Sequence, residues 1–198
     1  MKQGDRIVFA LWPCVAVFVG LWRYESAWMA IGLYHMGIAV GVVWDRQVLR
    51  EPRNGWRRLP VFGGLLIGVL TVPTVLMCLP LLVGMNPEET GIVLADKLAQ
   101  TGLSGAGYWI FFAYFVTIHP VLEELGWRGV LGSRRKGLHL LDLEFAIYHL
   151  IVLNFFFPRA WALLVVTLIV LTGSAWLWRQ MMTKFGGLGS VIVFHAAA

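Results

Sequence analysis

Charged residues are scarce in this sequence of 198 amino acids. Only 14% of the chain is Asp, Glu, Lys or Arg, whereas a typical soluble domain has about 25%. Hydrophobic residues make up 59%, which exceeds the share that soluble domains carry. The composition therefore excludes an ordinary soluble domain and predicts a chain that lies in a lipid bilayer.

Cysteine is also scarce, and its placement excludes two kinds of site. The chain has two cysteines, Cys14 and Cys78, and each lies within an apolar run. Neither stands in a CxxC pair or a similar metal-binding spacing, which argues against a disulfide framework and against a cysteine metal site. We expect both residues to be small packing side chains in helices.

The chain has instead a series of long apolar runs. A helix needs about 20 mostly apolar residues to cross the hydrocarbon core, and seven candidate runs lie at 7–22, 27–44, 61–84, 106–127, 138–157, 160–178 and 185–198. Seven runs leave no room for a separate soluble domain. The sequence predicts an all-α, polytopic membrane helix bundle that forms a single domain over residues 1–198.

Basic residues alternate between the connections that join these runs. With Arg128 set aside, twelve lie before the first run and in every second connection, whereas three lie in the other connections. This is the positive-inside pattern, and it places the N-terminus in the cytoplasm. The net charge of +5 therefore reports topology, and no nucleic-acid partner is expected.

Several residues are predicted to have structural roles only. Tryptophans near the ends of the runs are typical of interfacial anchors, and they are Trp22, Trp28, Trp44, Trp109, Trp127, Trp176 and Trp178. His35 has no ionisable neighbour within its run, which favours a packed histidine. Asp142 and Glu144 lie near the cytoplasmic end of the fifth run, so we expect them at the interface or paired with the basic connection before them.

The stretch "HPVLEELGWRGVL" carries ionisable residues where lipid-facing residues would be apolar. Such groups are costly in a membrane and usually mark function. Glu124 and Arg128 are four residues apart and share one helix face, whereas Glu123 points about 100° away. Two readings stay open: a stabilising pair with an interfacial carboxylate, or one carboxylate held by arginine while the other acts as a base.

Two histidines on later runs are predicted to lie at the same depth as Glu123. Counted from the cytoplasmic loop edges, Glu123 is ten residues in, His149 twelve and His195 eleven. At about 1.5 Å per residue, all three lie roughly 15–18 Å from that edge. A single histidine in an apolar helix is usually a packing residue, but a shared depth on three helices favours one site. His119 shares the face of Glu123, which leaves open a supporting role or a metal-ligand pair.

This set of residues fits the hydrolysis of an amide. A carboxylate and a histidine can deprotonate water, and a second histidine can donate to a developing oxyanion. Alternatively, Glu123, His149 and His195 could bind a divalent metal such as zinc. Two other classes of function remain: a non-catalytic membrane scaffold, and a small transporter in which these groups carry protons or ions.

Three short motifs resemble those of a known family. "EELGWR" (Glu123 to Arg128) is similar to the EExxxR motif of the CPBP family, which includes CAAX proteases and bacteriocin-processing enzymes. "FAIYH" (Phe145 to His149) is similar to its FxxxH motif, and "HAAA" from His195 looks like the start of its HxxxN or HxxxD motif. The resemblance covers roughly residues 105–198, the protease-like core.

The resemblance implies an intramembrane endopeptidase of a bacterial or archaeal plasma membrane. Glu123 and His149 would activate water, Glu124 and Arg128 would support the site, and His195 would polarise the scissile carbonyl. The substrate would be a lipidated, CAAX-like or hydrophobic peptide that is cut near its C-terminus and enters from the cytoplasmic side. The family has been described both as metal-dependent and as glutamate-dependent. The alternative is a scaffold or bacteriocin-immunity protein of the same fold.

The last motif departs from the family pattern. Its Asn or Asp would stand at position 199, whereas the sequence given ends at Ala198. The last run also has about 14 residues where about 20 are needed. We therefore expect a fragment of a longer chain, the alternative being an incomplete oxyanion site with impaired activity.

Overall fold

The computed structural model describes residues 3–46, 48–49, 58–132, 136–185 and 187–197. The helices are α1 (Gln3–Val17), α2 (Ala27–Trp44), α3 (Arg58–Val83), α4 (Pro87–Gln100), α5 (Gly105–Thr117), α6 (His119–Glu124), α7 (Leu140–Phe156), α8 (Trp161–Phe185) and α9 (Gly189–Ala197). Two π-helical segments, Phe18–Arg23 and Leu125–Val130, continue α1 and α6. No strand occurs within these ranges, which confirms the all-α prediction for them.

Among the described residues, four helical stretches are long and apolar enough to cross a membrane: Asp5–Arg23, Ala27–Trp44, Gly105–Val130 and Trp161–Lys184. A fifth is formed if Val69–Val83 and Pro87–Gln100, which meet at a 97° bend, are taken as one broken span. The described helices are thus compatible with an integral membrane protein. Helix α7 has 17 residues and α9 has nine, so both are shorter than the runs predicted there.

Local signals explain where two of the helices begin. Ser26 caps α2, because its hydroxyl accepts a hydrogen bond from the backbone N–H of Met29 at 3.2 Å. Asn86 and Glu89 form a capping box at the start of α4. The connection between the third and fourth apolar runs thus contains a helix of its own, α4.

The first two spans approach each other closely at Gly20. A Cβ atom on this residue would lie 2.3 Å from the backbone Cα of Ala30, so any larger residue would push α2 away. Small residues allow close contact between membrane helices. The contact sets the position of α2, which holds Tyr34 in the buried core with 3% of its surface exposed.

The buried centre of the bundle contains polar groups among the apolar ones. Glu123 and Glu124 have no exposed surface, and they lie between apolar residues of α2, α7 and α9. Trp127 and Trp178 are also buried, at 5% and 4% exposure. Their prediction as interfacial anchors is therefore wrong, because both rings pack inside the bundle around the carboxylates.

Asp142 has a different partner from the one expected. It is buried, and its carboxylate binds Arg179 of α8, with Nη2 of the arginine 2.6 Å from Oδ2. The prediction of an interfacial residue, or of a pair with the basic connection before α7, is wrong. Helix α8 runs antiparallel to α7 after a short turn, and this brings the arginine against the start of α7.

Candidate active site

The two carboxylates lie in the second half of the span Gly105–Val130, where α6 follows α5. Helix α5 ends at Thr117, and α6 begins with Pro120 in its first turn, where the missing N–H of proline costs no helical hydrogen bond. After Glu124 the chain continues as the π-helical segment Leu125–Val130. Such wide turns occur often at functional sites. Here the segment keeps Arg128 against Glu124 while turning Trp127 toward α2.

Glu124 is held through one oxygen. Its Oε1 accepts hydrogen bonds from Nη1 of Arg128 at 3.0 Å and from Nδ1 of His195 at 2.9 Å. The predicted ion pair between Glu124 and Arg128 is confirmed. The guanidinium of Arg128 also lies over the rings of Phe145 and Trp178, with its carbon 4.4 and 5.0 Å from the centroids. These rings are cation–π partners in a desolvated place.

Glu123 has two oxygens in different surroundings. Oε1 accepts a hydrogen bond from the hydroxyl of Tyr34 at 2.8 Å, and the indole N–H of Trp127 donates to that hydroxyl, also at 2.8 Å. Oε2 lies 3.2 Å from Nε2 of His119 and 3.3 Å from Nε2 of His195. Within the described residues Oε2 receives no well-aligned hydrogen bond. This oxygen is therefore the one that is available to a reacting water.

His195 joins the two carboxylates. Its ring stacks on Trp178 with centroids 4.5 Å apart, and its two nitrogens face Glu123 and Glu124. Because an ionised carboxylate only accepts hydrogen bonds, donation at both nitrogens requires that both carry a proton. Otherwise one of the carboxyl groups carries it. Glu123 and His195 thus lie in contact, as their equal depth predicts.

His149 is held by a hydrogen bond within α7 and lines a cavity next to Glu123. Its Nδ1 lies 2.8 Å from the carbonyl oxygen of Phe145, and since a carbonyl only accepts, Nδ1 donates there. In the neutral ring Nε2 is then left as an acceptor. His149 lies within electrostatic reach of Glu123, and it lines a cavity together with Tyr34 and His119. Its side chain thus shares this cavity with two residues that contact Glu123.

This cavity has a volume of about 240 Å³ and is mainly apolar. Its polar or titratable wall residues are Tyr34, His119, Tyr148 and His149. The other walls come from the end of α1, the start of α2, the connection after α4, α5 and the end of α7. The cavity therefore lies in the half of the bundle away from the N-terminus, with polar groups at its inner end only.

Sequence reasoning missed four parts of this site. Tyr34 and Trp127 were given no role near the carboxylates, and His119 was left between alternatives. His35 was expected only as a packed histidine, whereas its Nε2 also lies 3.1 Å from Nδ1 of His119. The signal that was available is the pair of polar side chains, Tyr34 and His35, in the middle of an otherwise apolar run.

The predicted metal ligands do not form a metal site. Within the described residues no group of three His, Cys, Asp or Glu side chains could hold a metal ion. Of Glu123, His149 and His195, only the first and the last contact each other, while Nδ1 of His149 is bound to a backbone carbonyl. The arrangement does not fit a metal centre, and no step below runs through one.

The comparisons with known proteins concern the whole chain and not the motifs alone. Comparison with protein-family models, with curated proteins and with solved structures gives no match to this chain. The likeness to the CPBP family therefore rests on the three short motifs and stays a prediction.

Proposed function

We propose that this chain is an intramembrane endopeptidase of the CPBP type. It would hydrolyse a peptide bond near the C-terminus of a lipidated, CAAX-like or hydrophobic peptide. Glu123 and His149 would activate the water, Glu124 and Arg128 would support the site, and His195 would polarise the scissile carbonyl.

One observation carries the proposal. A fully buried carboxylate, Glu123, lies within 3.2 and 3.3 Å of imidazole nitrogens from two helices, next to an apolar cavity that His149 also lines. Titratable groups inside a membrane bundle are costly and are usually kept for a function. A cavity of this kind suits an apolar peptide segment, and its polar groups stand at the inner end.

The proposed reaction begins with a water molecule between Glu123 and His149. One proton passes to Oε2 of Glu123 while the water oxygen forms a bond to the carbonyl carbon of the peptide. The carbonyl oxygen takes the π electrons and is stabilised by the N–H at Nε2 of His195, whose ring then carries a proton on both nitrogens because Nδ1 donates to Glu124. The C–N bond then breaks, and Glu123 returns the proton to the leaving nitrogen, so that a carboxylic acid and an amine are released.

A non-catalytic membrane protein of the same fold is the alternative, and one observation favours it. Three protein groups, from Tyr34, His119 and His195, already surround the carboxylate of Glu123. A substrate water must therefore approach between them, or the set is a buried polar network that holds three helices together. In that role Glu123 would matter for stability and partner binding, and not for cleavage.

We further propose seven spans with the N-terminus in the cytoplasm, from the alternation of basic residues. In that orientation the cavity lies in the half of the bundle opposite the cytoplasm. Its position favours entry from the bilayer or from that opposite face, and cytoplasmic access stays a prediction from the resemblance. In a chain without Cys14 and Cys78, Ala99→Cys would react with a membrane-impermeant maleimide added to intact cells if this orientation holds.

The function is tested with purified protein in proteoliposomes. Two synthetic peptides are offered, one with a farnesylated CAAX C-terminus and one that is hydrophobic without a lipid, and products are identified by mass spectrometry. We expect release of a short C-terminal fragment. Because Glu123→Gln removes the base but keeps a similar shape, we expect activity to fall by about 10²- to 10⁴-fold.

The matched control is Glu144→Gln, which removes a carboxylate from α7 outside the site. It should cleave as the unchanged protein does. Cleavage that persists in Glu123→Gln would sink the mechanism. If neither peptide is cut but Glu123→Gln unfolds at a lower denaturant concentration, the scaffold role is favoured.

A further inference from the structure

A line of polar side chains leads from the side of the bundle to Glu123. The hydroxyl of Tyr114 on α5 lies 2.6 Å from Nδ1 of His35 on α2. Nε2 of His35 lies 3.1 Å from Nδ1 of His119 on α6, and Nε2 of His119 lies 3.2 Å from Oε2 of Glu123. Three contacts thus connect a half-buried phenol to the buried carboxylate.

Aromatic packing fixes both imidazole rings in this line. His119 stacks on Phe115, with ring centroids 4.4 Å apart and an interplanar angle of 17°. His35 stacks on Tyr34 at 5.3 Å. Since the rings are held on their faces, their nitrogens stay directed along the line, and each nitrogen has one neighbour to which it can donate or from which it can accept.

An ionised carboxylate at the end of the line favours one direction of donation. A neutral imidazole has one N–H and one acceptor nitrogen. Because ionised Glu123 only accepts, the proton of His119 is favoured on Nε2, which faces the carboxylate, and Nδ1 is then an acceptor for His35. His35 must therefore donate from its own Nε2, and its Nδ1 accepts from the hydroxyl of Tyr114. The opposite direction would leave two lone pairs facing each other at Glu123.

We propose that His35 and Tyr114 are positioning residues that hold His119 as the Nε2–H tautomer, with this N–H facing Oε2 of Glu123 at an N···O distance of 3.2 Å. The hydrogen bond on the far nitrogen of an imidazole decides which nitrogen carries the proton. The catalytic consequence rests on the proposed function: His119 would keep the carboxylate ionised and aimed, ready to accept a proton from water.

The tautomer is tested by ¹⁵N NMR on histidine-labelled protein in proteoliposomes. The chain has five histidines, and His119→Gln assigns the signals that disappear. We expect one protonated and one unprotonated nitrogen for His119, with Nε2 protonated. In His35→Leu, which leaves no donor to Nδ1, both tautomers of His119 should appear. A His119 that carries its proton on Nδ1, or whose signals do not change in His35→Leu, would overturn the proposal.

A second variant separates positioning from packing. In His35→Gln the amide nitrogen takes the place of Nε2 and can still donate to His119, so we expect the signals of the unchanged protein to return. Tyr114→Phe removes only the hydroxyl and should shift the His35 signals while leaving the tautomer of His119 mostly in place. A tautomer mixture in His35→Gln as large as in His35→Leu contradicts the donor role.

Peptide cleavage gives the catalytic readout. Hydrogen-bond partners of metal-bound histidines change activity by about 10- to 100-fold, and we expect a loss of the same order in kcat for His35→Leu, with KM little changed and with recovery in His35→Gln. If the unchanged protein cuts no peptide, the proposed function fails, and the NMR result still decides the tautomer. If cleavage occurs but His35→Leu keeps full kcat, the catalytic part of the proposal is wrong.

Discussion

Among the described residues, two buried pairs of a carboxylate with an arginine are built differently. Asp142 and Arg179 share two hydrogen bonds, from Nε to Oδ1 at 3.0 Å and from Nη2 to Oδ2 at 2.6 Å. In the pair of Glu124 and Arg128 a single contact at 3.0 Å joins the partners. Within the described residues Oε2 of the glutamate accepts no hydrogen bond and Nη2 of the arginine donates none.

The surroundings of the pairs differ in the same way. Asp142 also accepts from the backbone N–H of His139, and Arg179 also donates to the carbonyl of Gly137, so this pair fixes a helix start. Glu124 instead accepts from His195, which in turn faces Glu123. We call the pair of Asp142 and Arg179 saturated, because both carboxylate oxygens have hydrogen-bond partners, and the pair of Glu124 and Arg128 unsaturated. A saturated pair stabilises the fold, whereas an unsaturated pair that contacts titratable groups can still take part in a reaction. The second kind is expected at an active site.

The largest effect is expected from breaking the saturated pair. Asp142→Ala leaves the guanidinium of Arg179 buried without its carboxylate, which typically costs about 3–5 kcal/mol of unfolding free energy. Unfolding in SDS, followed by tryptophan fluorescence, measures this loss. Activity per folded molecule should fall far less than in Glu123→Gln, since the pair lies outside the site.

Glu144→Ala is the control for this comparison. It removes a carboxylate two positions further along α7, and Oε2 of Glu144 has no hydrogen-bond partner among the described residues. Its loss should leave the unfolding free energy unchanged or slightly higher. Equal destabilisation by both variants would show that the loss comes from α7 in general and not from the ion pair.

Glu124→Gln is expected to lower the unfolding free energy by less than Asp142→Ala does, and to lower activity by more. The amide keeps an oxygen for Arg128 and His195 but removes the charge. Disturbing one unsaturated contact costs about 1–3 kcal/mol of stability, whereas loss of a supporting partner lowers activity by about 10- to 100-fold. Glu124→Gln should therefore lose much activity and little stability, whereas Asp142→Ala should lose much stability and little activity.

Both quantities are measured on the same preparations, by peptide cleavage and by SDS unfolding. If Glu124→Gln and Asp142→Ala lower stability equally and neither changes cleavage, the two pairs serve the same structural purpose. The distinction between a saturated and an unsaturated pair would then have no functional meaning in this protein.

The spacing of residues in the sequence predicted two contacts of the site and the helical class. Glu124 and Arg128 are four residues apart on a helix, so their pairing follows from spacing. The meeting of Glu123 and His195 followed from equal depth on different spans, because helices of known rise place residues at predictable heights. The helical class followed from the length of the apolar runs.

The remaining part depends on how the helices pack, which spacing does not encode. Arg179 lies 37 residues from Asp142, and only the packing of α8 on α7 brings them together. Tyr34 carries no charge, so by itself it costs little in a membrane span, and only its place beside His35 could have marked it. Trp127 near the end of a run looks like an interfacial anchor, and the π-helical segment that turns it inward has no sequence signature.

The smallest effect is expected at Trp178, which lies between the two pairs. It stands next to Arg179 in α8, yet its ring stacks on His195 at 4.5 Å and lies 5.0 Å from the guanidinium carbon of Arg128. Trp178→Phe keeps an aromatic ring but weakens the cation–π contact by about 0.5–1 kcal/mol. We expect cleavage to fall only a few-fold, with little change in SDS unfolding.

Trp176→Phe is the matched control, since this more exposed ring donates to the carbonyl of Lys136 and contacts neither pair. It should cleave as the unchanged protein does. The indole N–H of Trp178 has no hydrogen-bond partner among the described residues, so its removal breaks no such bond, and any loss of cleavage reports the ring contacts with His195 and Arg128. If Trp178→Phe instead lowers stability and leaves cleavage intact, Trp178 has a structural role like that of the pair of Asp142 and Arg179.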